Sequence, residues 1–255
     1  MPYPNVAGEK IFYVHHQGDP KGQCALTFVH GAGGSHLNWP PQLRRLAKAN
    51  TYALDLPGHG QSEGQGRTSI SAYADFVVAF LDALGLEKAI LVGHSMGGAT
   101  ALDFALRYPE RLAGLVLVGS GARLRVAPAI LDGIRQDLQA AVRLICDYAF
   151  ALDAPEQLKR EGRRQMAQTH PDVLYGDFAA CNAFDVMDRL GEIHCPALAI
   201  CGTADRLTPP KYSTYLCDHI PAAQLVLIEG AGHMVMLEQP EAVSRAIADF
   251  IENQT

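Results

Sequence analysis

The sequence of 255 residues lacks the marks of several protein classes. It has no C-x-x-C pair among its six cysteines and no H-E-x-x-H among its ten histidines, so no metal-ligand spacing is present. No apolar stretch approaches the roughly 18 residues that a membrane helix needs. The net charge of -6 leaves no basic excess for nucleic acid. We therefore expect no metal site, no nucleic-acid partner and no membrane partner.

The first ten residues also lack a basic region followed by an apolar one, so no secretory signal is visible. In such a chain, scattered cysteines are more often buried free thiols than disulfides. We therefore expect a cytoplasmic protein, monomeric or a small homo-oligomer, with six free thiols. These are Cys24, Cys146, Cys181, Cys195, Cys201 and Cys217.

Strand-like and helix-like segments alternate along the chain, which predicts an α/β fold with a mostly parallel sheet and helices on both faces. Several strand segments are continuous apolar runs, typical of strands buried on both faces. The predicted strands are 11–15, 25–30, 51–55, 89–93, 115–119, 197–201 and 224–228. The predicted helices between them are 41–49, 70–84, 98–108, 211–219 and 241–252.

One long segment interrupts this alternation between Gly119 and Ala197. A structureless loop of that length is improbable in a compact domain. The segment instead shows helical patterns at 127–150, 155–168 and 171–190. We predict a core domain formed by 1–120 and 192–255, with residues 121–191 as a helical cap, or lid, over one end of the sheet.

A G-x-S-x-G pentapeptide at 93–97 follows a predicted strand and opens onto a helix-forming stretch. The pattern alone is common, because glycine and serine are frequent in turns. Its strand-turn-helix context is that of a sharp elbow with an exposed serine hydroxyl. Ser95 is therefore the candidate nucleophile.

A serine hydroxyl needs a base within hydrogen-bond reach and a group that orients the base. His233 follows the last predicted strand, and Asp205 follows the strand before it. In a parallel sheet these positions lie at the same edge as Ser95, which makes them the candidate base and acid. Asp185 and Asp188 in the long segment are alternatives for the acid, and a solvated loop aspartate is the plainer interpretation of Asp205.

Other residues near these motifs are assigned structural roles. His30 is expected to hold the backbone of the loop that it opens, and His94 to pack beneath the elbow. Segment 55–62, which includes His59, is interpreted as a tight loop bracing the site. Five apolar residues are candidates for a substrate pocket, although such residues more often only pack: Trp39, Phe150, Phe184, Met187 and Met234.

The order Ser95, Asp205, His233, together with the glycine-rich segments 30–34, 55–62 and 202–205, resembles the serine hydrolases of the α/β-hydrolase superfamily. The resemblance spans nearly the whole chain and points to the branch with a helical cap, which includes esterases and carbon–carbon bond hydrolases. It implies an α/β-hydrolase fold with the cap inserted after the sixth strand of that fold.

The resemblance also implies an oxyanion hole and a mechanism. The backbone N–H groups of Met96 and Ala32 are the expected oxyanion donors, with Gly33 as the fallback. Hydrolysis then proceeds through a covalent acyl-enzyme, and no cofactor is needed.

The leading expectation is a carboxylesterase acting on a small ester with an apolar acyl or alcohol part. Cleavage of a carbon–carbon bond, a lactone or an amide, perhydrolysis and a lyase reaction stay open as alternatives, and so does a non-catalytic ligand receptor. A serine at the elbow disfavours dehalogenase and epoxide hydrolase chemistry, which need aspartate there in the resembling families. A dienoate substrate would need cations, for which the candidates are Arg123, Arg125, Arg163 and Arg164.

Overall fold

A computed structural model describes residues 3–18, 25–46 and 49–253. Within these ranges the strands are β1 (Asn5–Val6), β2 (Glu9–Lys10), β3 (Tyr13–His16), β4 (Ala25–Val29), β5 (Asn50–Leu54), β6 (Ala89–His94), β7 (Leu112–Val118), β8 (Ala197–Gly202) and β9 (Ala223–Ile228). The main sheet has seven strands in the order β3-β5-β4-β6-β7-β8-β9. β3 is antiparallel to β5 and the other pairs are parallel, so the predicted mostly parallel sheet is present.

The helices are α1 (Pro41–Arg44), α2 (Ile70–Ala83), α3 (Met96–Arg107), α4 (Pro128–Gln136), α5 (Leu138–Ala149), α6 (Glu156–Met166), α7 (Pro171–Ala183), α8 (Pro210–His219), α9 (Val235–Glu238) and α10 (Pro240–Glu252). The predicted helix 41–49 already ends at Arg44, and its residues 47–48 lie outside the described ranges. Proline occupies the first turn of several helices, where its missing N–H costs nothing.

Apolar side chains bury both faces of the sheet. Along β6, Leu91 belongs to the core on one face, with α2 and α3, while Ile90 and Val92 belong to the core on the other, with α1 and α10. This alternation follows from the period of two along a strand. Such double coverage explains why the central strands are continuous apolar runs.

The segment between β7 and β8 forms helices α4 to α7 and is called the helical insertion below. It follows β7, the fifth in chain order of the seven strands that the structure describes in the main sheet. The predicted helix 127–150 divides into α4 and α5, because Asp137 is extended and its side chain accepts a hydrogen bond from Ala140 N–H at 3.0 Å. Aspartate is favoured at such a helix start over a helix interior.

The last predicted helix of the insertion, 171–190, is also too long. It ends at Ala183, and a separate 3₁₀ helix covers Met187–Glu192. Between them the chain is extended, since Asp185 forms an isolated bridge with Arg123 and Val186 N–H donates to the carbonyl of Ala122 at 2.9 Å. Pairing with the segment after β7 therefore ends the helix.

Three of the sequence-based expectations concern free thiols, metal sites and membrane helices. In the described part of the chain, Cys146, Cys181, Cys195, Cys201 and Cys217 are all free, and Cys24 lies outside it. In the described ranges no cluster of three or more His, Cys, Asp or Glu side chains is suited to a metal ion. None of the helices described there combines the length and the apolar character that crossing a bilayer requires.

The strand register aligns the loops that matter for chemistry. Val29 at the end of β4 is opposite Gly93 in β6, and Gly202 at the end of β8 is opposite Ile228 at the end of β9. The loops that follow these strands therefore open at one edge of the sheet, the usual place for ligands in open α/β sheets.

The turn from β6 into α3 depends on two glycines without side chains. A Cβ atom on Gly93 would overlap the carbonyl of Gly97, and one on Gly97 would overlap the carbonyl of Val29 in the neighbouring strand. Both obstacles are backbone and cannot rotate away. The start of α3 can lie this close to the sheet only because both positions are glycine.

We predict that Gly97→Ala lowers the free energy of unfolding by at least about 2 kcal/mol, because overpacking against backbone exceeds the gain of about 1 kcal/mol from alanine's helix propensity. Urea unfolding followed by circular dichroism measures the change. Gly191→Ala is the control: a Cβ there meets no atom within 4 Å, so we expect a change below about 0.5 kcal/mol. A Gly97→Ala variant as stable as the parent would contradict this packing.

Candidate active site

Ser95 lies at the junction of β6 and α3 in a backbone conformation that non-glycine residues rarely adopt, with φ +52° and ψ -114°. Hydrogen bonds on both sides hold it there. Its N–H donates to the carbonyl of Val118 at 3.0 Å, while its own carbonyl accepts from Gly98 N–H, Ala99 N–H and the Ser120 hydroxyl at 2.9, 3.0 and 2.8 Å. The side chain is thereby presented at the sheet edge, as the sequence predicts for an elbow.

His233 and Asp205 are in direct contact. His233 Nδ1 lies 2.9 Å from Asp205 Oδ2, and the two side chains are 5% and 0% exposed. A carboxylate only accepts, so the histidine carries its proton on Nδ1 and leaves Nε2 free as a base. The structure therefore brings together the predicted acid and base, and Ser95 and His233 line the same two cavities.

Thr208 completes the surroundings of the Asp205 carboxylate. Its N–H donates to Oδ1 at 2.9 Å and its hydroxyl to Oδ2 at 2.8 Å, and Leu207 N–H donates to Oδ1 at 2.8 Å. Burial alone would raise the pKa of Asp205, but the charge and hydrogen bond of His233 and the donors of Thr208 outweigh burial and hold that pKa below its usual value. Asp205 is therefore an ionised carboxylate held against His233.

The backbone around His233 is also fixed. His94 is buried beneath the elbow, as predicted, and its Nε2 donates to the carbonyl of His233 at 3.1 Å. The preceding residue, Gly232, donates its N–H to Glu238 Oε2 at 3.0 Å. The same oxygen accepts from Ala151 N–H of the helical insertion at 3.1 Å. The loop that carries the base is thus tied to the insertion.

The glycine-rich loop after β4 is held from the core side by His30. The carbonyl of Gly31 accepts from His30 Nδ1 at 2.8 Å and from Gly34 N–H at 3.0 Å. Leu56 N–H donates to His30 Nε2 at 3.0 Å, so the ring is the neutral Nδ1–H tautomer, and burial lowers its pKa to about 4. His30 holds the loop backbone, as the sequence analysis expects.

The hydrogen bonds to the Gly31 carbonyl also set the direction in which the N–H of Ala32 points. In a trans peptide the C=O and N–H groups point in opposite directions, so the N–H of Ala32 points away from the donors that hold the Gly31 carbonyl. It finds no acceptor among the described residues, and Ala32 borders both cavities that contain Ser95. The N–H of Met96, the first residue of α3, also lacks an intrahelical acceptor.

Gly33, the fallback donor, is differently placed. Its N–H already donates to Asp177 Oδ2 of the insertion at 2.9 Å. The geometry therefore favours Ala32 and Met96 over Gly33 as donors to a developing oxyanion.

Two cavities meet at Ser95, His233 and Ala32. The smaller, of about 70 Å³, is enclosed by the glycine-rich loop and by buried or half-buried side chains of the insertion: Ile145, Cys146, Phe150, Met166 and Phe178. The larger, of about 450 Å³, is bordered by exposed residues such as Leu144 and Tyr148. Both walls are mainly apolar.

The structure separates the five residues proposed for a substrate pocket. Phe150 and Met234 line the smaller cavity. Phe184 and Met187 instead pack in the core with α2 and α3. Trp39 is fully buried against Phe28, with ring centroids 5.0 Å apart, and these three residues border neither cavity.

The four arginines proposed as substrate-binding cations lie in different surroundings. Arg163 pairs with Asp147 and Glu156 on the insertion surface, Arg164 pairs with Glu161, and Arg123 lies 3.6 Å from Asp185. Of the four proposed arginines, only Arg125 borders the larger cavity.

Sequence reasoning missed several lining residues. Phe178 and Leu207 border both cavities, and Arg206 borders the larger one. Their chain position gives a signal for two of them, since Arg206 and Leu207 directly follow the candidate acid. Asp177 was also missed, although it interrupts an apolar stripe that includes Leu174 and Cys181 at helical spacing.

Known proteins resemble this chain over nearly its whole length. The sequence profile described as the alpha/beta hydrolase family matches residues 28–246. A 2-hydroxy-6-oxo-6-phenylhexa-2,4-dienoate hydrolase from Burkholderia cepacia is 30% identical, covering 98% of this chain and 94% of that protein. A thermophilic esterase of known structure is 37% identical with a TM-score of 0.86, covering 98% and 96% of the two chains. The enol-lactonase of Burkholderia xenovorans LB400 has a TM-score of 0.91 at 25% identity, covering 98% and 100%.

The lowered pKa of Asp205 predicts a pH-dependent contribution to stability. An unfolded aspartate has a pKa of about 3.9, so the stabilisation from ionised Asp205 is complete above that value. It is lost as the pH falls towards the lower folded pKa. Comparing urea unfolding of the parent and Asp205→Asn from about pH 6 downward should show their stability difference shrinking in acid. A difference that stays constant or widens as the pH falls would contradict this assignment.

Proposed function

The chain belongs to the alpha/beta hydrolase family, and from that premise we propose that it is a serine hydrolase that cleaves a small carboxylic ester through an acyl-enzyme. The observation that carries the proposal is the buried Asp205–His233 hydrogen bond of 2.9 Å beside the Ser95 elbow. A buried acid–base pair next to a serine that lines a cavity is the arrangement that activates a hydroxyl nucleophile.

In the first step, His233 Nε2 takes the proton of the Ser95 hydroxyl as its oxygen attacks the ester carbonyl. The imidazolium that forms is stabilised by the Asp205 carboxylate on Nδ1. The same histidine then protonates the departing alcohol, leaving an acyl group on Ser95. In the second step His233 activates a water molecule, which releases the acid and restores the serine.

Each attack creates an oxyanion, which the amides of Ala32 and Met96 are proposed to bind. Neither N–H group donates to an acceptor among residues 3–18, 25–46 and 49–253, and Met96 adds the positive end of the α3 dipole. One such donor contributes about 3 kcal/mol of transition-state stabilisation.

The two cavities suggest how an ester lies in the site. Of the four groups on the tetrahedral carbon, one is Ser95 Oγ and one is the oxyanion, so the acyl chain and the alcohol are left to fill two cavities. The alcohol must leave and water must enter through the open side, where the exposed Leu144 and Tyr148 border the larger cavity. The acyl chain is therefore assigned to the smaller cavity.

Replacing the nucleophile tests the proposal. We expect Ser95→Ala to reduce kcat on p-nitrophenyl esters by at least about 10⁴-fold, with the fold retained, because the covalent route is lost. Ser244→Ala is the control and should keep full activity, because Ser244 is a half-buried serine of α10 that borders neither cavity and donates to the Gln42 carbonyl at 3.2 Å. A fluorophosphonate probe should label the parent and Ser244→Ala but not Ser95→Ala.

Retained turnover in Ser95→Ala would overturn the assignment. A parent protein that neither turns over esters nor reacts with the probe would favour the non-catalytic receptor instead, because a receptor needs no activated serine.

The smaller cavity predicts a preference for short acyl chains. About 70 Å³ holds only a few water-sized groups, since one water needs about 10–15 Å³. We expect acetyl and propionyl esters to be preferred over hexanoyl esters in kcat/KM, and Phe150→Leu to improve the hexanoyl ester about tenfold relative to the acetyl ester. Tyr148→Leu, in the larger cavity, should leave the acyl profile unchanged. Equal rates from acetyl to hexanoyl would contradict the assignment of the cavities.

Carbon–carbon bond hydrolysis is the second candidate. It is supported by the similarity to the dienoate hydrolase and by two arginines, Arg125 and Arg206, that border the larger cavity. A guanidinium group is suited to a substrate carboxylate. Turnover of a vinylogous diketone acid, with simple esters inert, would favour this function over ester hydrolysis.

A further inference from the structure

The carboxylate of Asp177 is fully buried between the helical insertion and the core. It comes from α7, and all its hydrogen-bond partners come from outside the insertion. Oδ2 accepts from Gly33 N–H at 2.9 Å and lies 2.8 Å from His59 Nε2, and Oδ1 accepts from the Tyr73 hydroxyl at 2.5 Å. One side chain of the insertion thus contacts three separate parts of the core.

The contacts of His59 favour a charged ring beside Asp177. Its Nδ1 lies 3.0 Å from the carbonyl oxygen of Pro57 and its Nε2 faces Asp177, so both ring nitrogens face oxygen acceptors. Protons on both nitrogens satisfy both acceptors, so these contacts favour the imidazolium form of the ring. Burial by itself lowers the pKa of His59, but the charge and hydrogen bond of Asp177 outweigh it and raise the pKa.

A buried ion pair is a poor device for stability alone, because desolvation of two charges offsets much of their attraction. Apolar side chains would join two surfaces at lower cost. The placement of the partners indicates another role, since Gly33 directly follows Ala32, the proposed oxyanion donor.

The insertion holds Gly33 on both sides. Its N–H is bound by Asp177, and its carbonyl accepts from the Thr169 hydroxyl at 3.2 Å. Gly33 has φ +62°, and a Cβ atom there would lie 2.5 Å from Leu174 Cδ1. On the other side of Ala32, the Gly31 carbonyl is held by His30 from the core. Ala32 therefore lies between two groups that are held in place: the Gly31 carbonyl, bound by the core, and Gly33, bound by the insertion.

We propose that Asp177 is a positioning residue for the oxyanion site: by fixing the Ala32–Gly33 peptide, it aims the Ala32 amide at the reacting carbonyl oxygen. The proposal rests on the ester hydrolase function proposed above. Without Asp177 the Ala32–Gly33 peptide loses its only acceptor among the described residues, and the Ala32 amide is then held only from the core side, through the Gly31 carbonyl. The amide contacts the oxyanion and Asp177 does not, so the effect appears in the transition state.

The competing interpretation is that Asp177 only attaches the insertion to the core. Tyr73→Phe separates the two roles, because it removes one contact of the same carboxylate and leaves the contact with Gly33 intact. If attachment is the only role, Tyr73→Phe and the Asp177 variants should lose activity in step with stability.

The test compares Asp177→Ala, Asp177→Asn and Tyr73→Phe in the full chain, using an acetyl p-nitrophenyl ester and urea unfolding. We expect Asp177→Ala to lower kcat about 10- to 100-fold with KM within about threefold, because the lost interaction acts only in the transition state. Asp177→Asn should keep at least about a third of kcat, since its amide oxygen still accepts from Gly33 N–H. Tyr73→Phe should keep kcat within about twofold even where it loses stability.

A trifluoromethyl ketone, which forms an oxyanion on serine, gives an independent readout. Its inhibition constant should rise in Asp177→Ala by the same factor as kcat/KM falls. If Asp177→Ala does not fold, Asp177→Asn and Tyr73→Phe decide: a loss of kcat above about threefold in Asp177→Asn, or above about twofold in Tyr73→Phe, overturns the proposal.

Three other results also overturn it: unchanged kcat in Asp177→Ala, a loss confined to KM, or unchanged ketone inhibition. Absence of Ser95-dependent ester hydrolysis in the parent protein is a different result, because it contradicts the proposed function and this inference together.

Discussion

The close approach of helix α3 to the sheet is the constraint on which the site depends. Gly93 and Gly97 have no side chain where a Cβ atom would overlap backbone of the elbow or of β4. This packing forces the single residue that turns the chain, Ser95, into a left-handed conformation. It also leaves the first amide of α3, that of Met96, without an intrahelical acceptor. The candidate nucleophile and one proposed oxyanion donor therefore both depend on one backbone contact.

The helical insertion supplies directional hydrogen bonds to the core as well as the apolar walls of the cavities. Its apolar contacts with the core are not directional, but its polar contacts are, and two of them lie beside the reacting groups. Asp177 binds the amide of Gly33, next to the oxyanion loop, and Glu238 joins Ala151 of the insertion to Gly232, next to the base. The insertion thus holds the two loops that carry a proposed oxyanion donor and the proposed base.

Much of this arrangement could be predicted from the sequence. The fold and the family are confirmed, because the apolar runs and glycine-rich turns that predict them depend on local chemistry. The predicted Ser95, Asp205 and His233 do lie at one sheet edge, since the ends of parallel strands must meet there. Their catalytic roles stay a proposal.

The insertion could be predicted only in outline. Its helices were expected, but helical periodicity alone did not show that Asp137 begins a new helix or that pairing of Asp185 with Arg123 ends α7. Apolar spacing likewise cannot tell a pocket from a core, so Phe150 reached a cavity and Phe184 did not. These outcomes depend on contacts between distant parts of the chain.

The structure of the protein after reaction with a fluorophosphonate tests the central claim most directly, because the adduct resembles the tetrahedral intermediate. The account predicts phosphorus bonded to Ser95 Oγ and one phosphoryl oxygen within about 2.7–3.1 Å of both the Ala32 and Met96 nitrogens. Phosphorus on another residue, or a phosphoryl oxygen turned away from both amides, would contradict it.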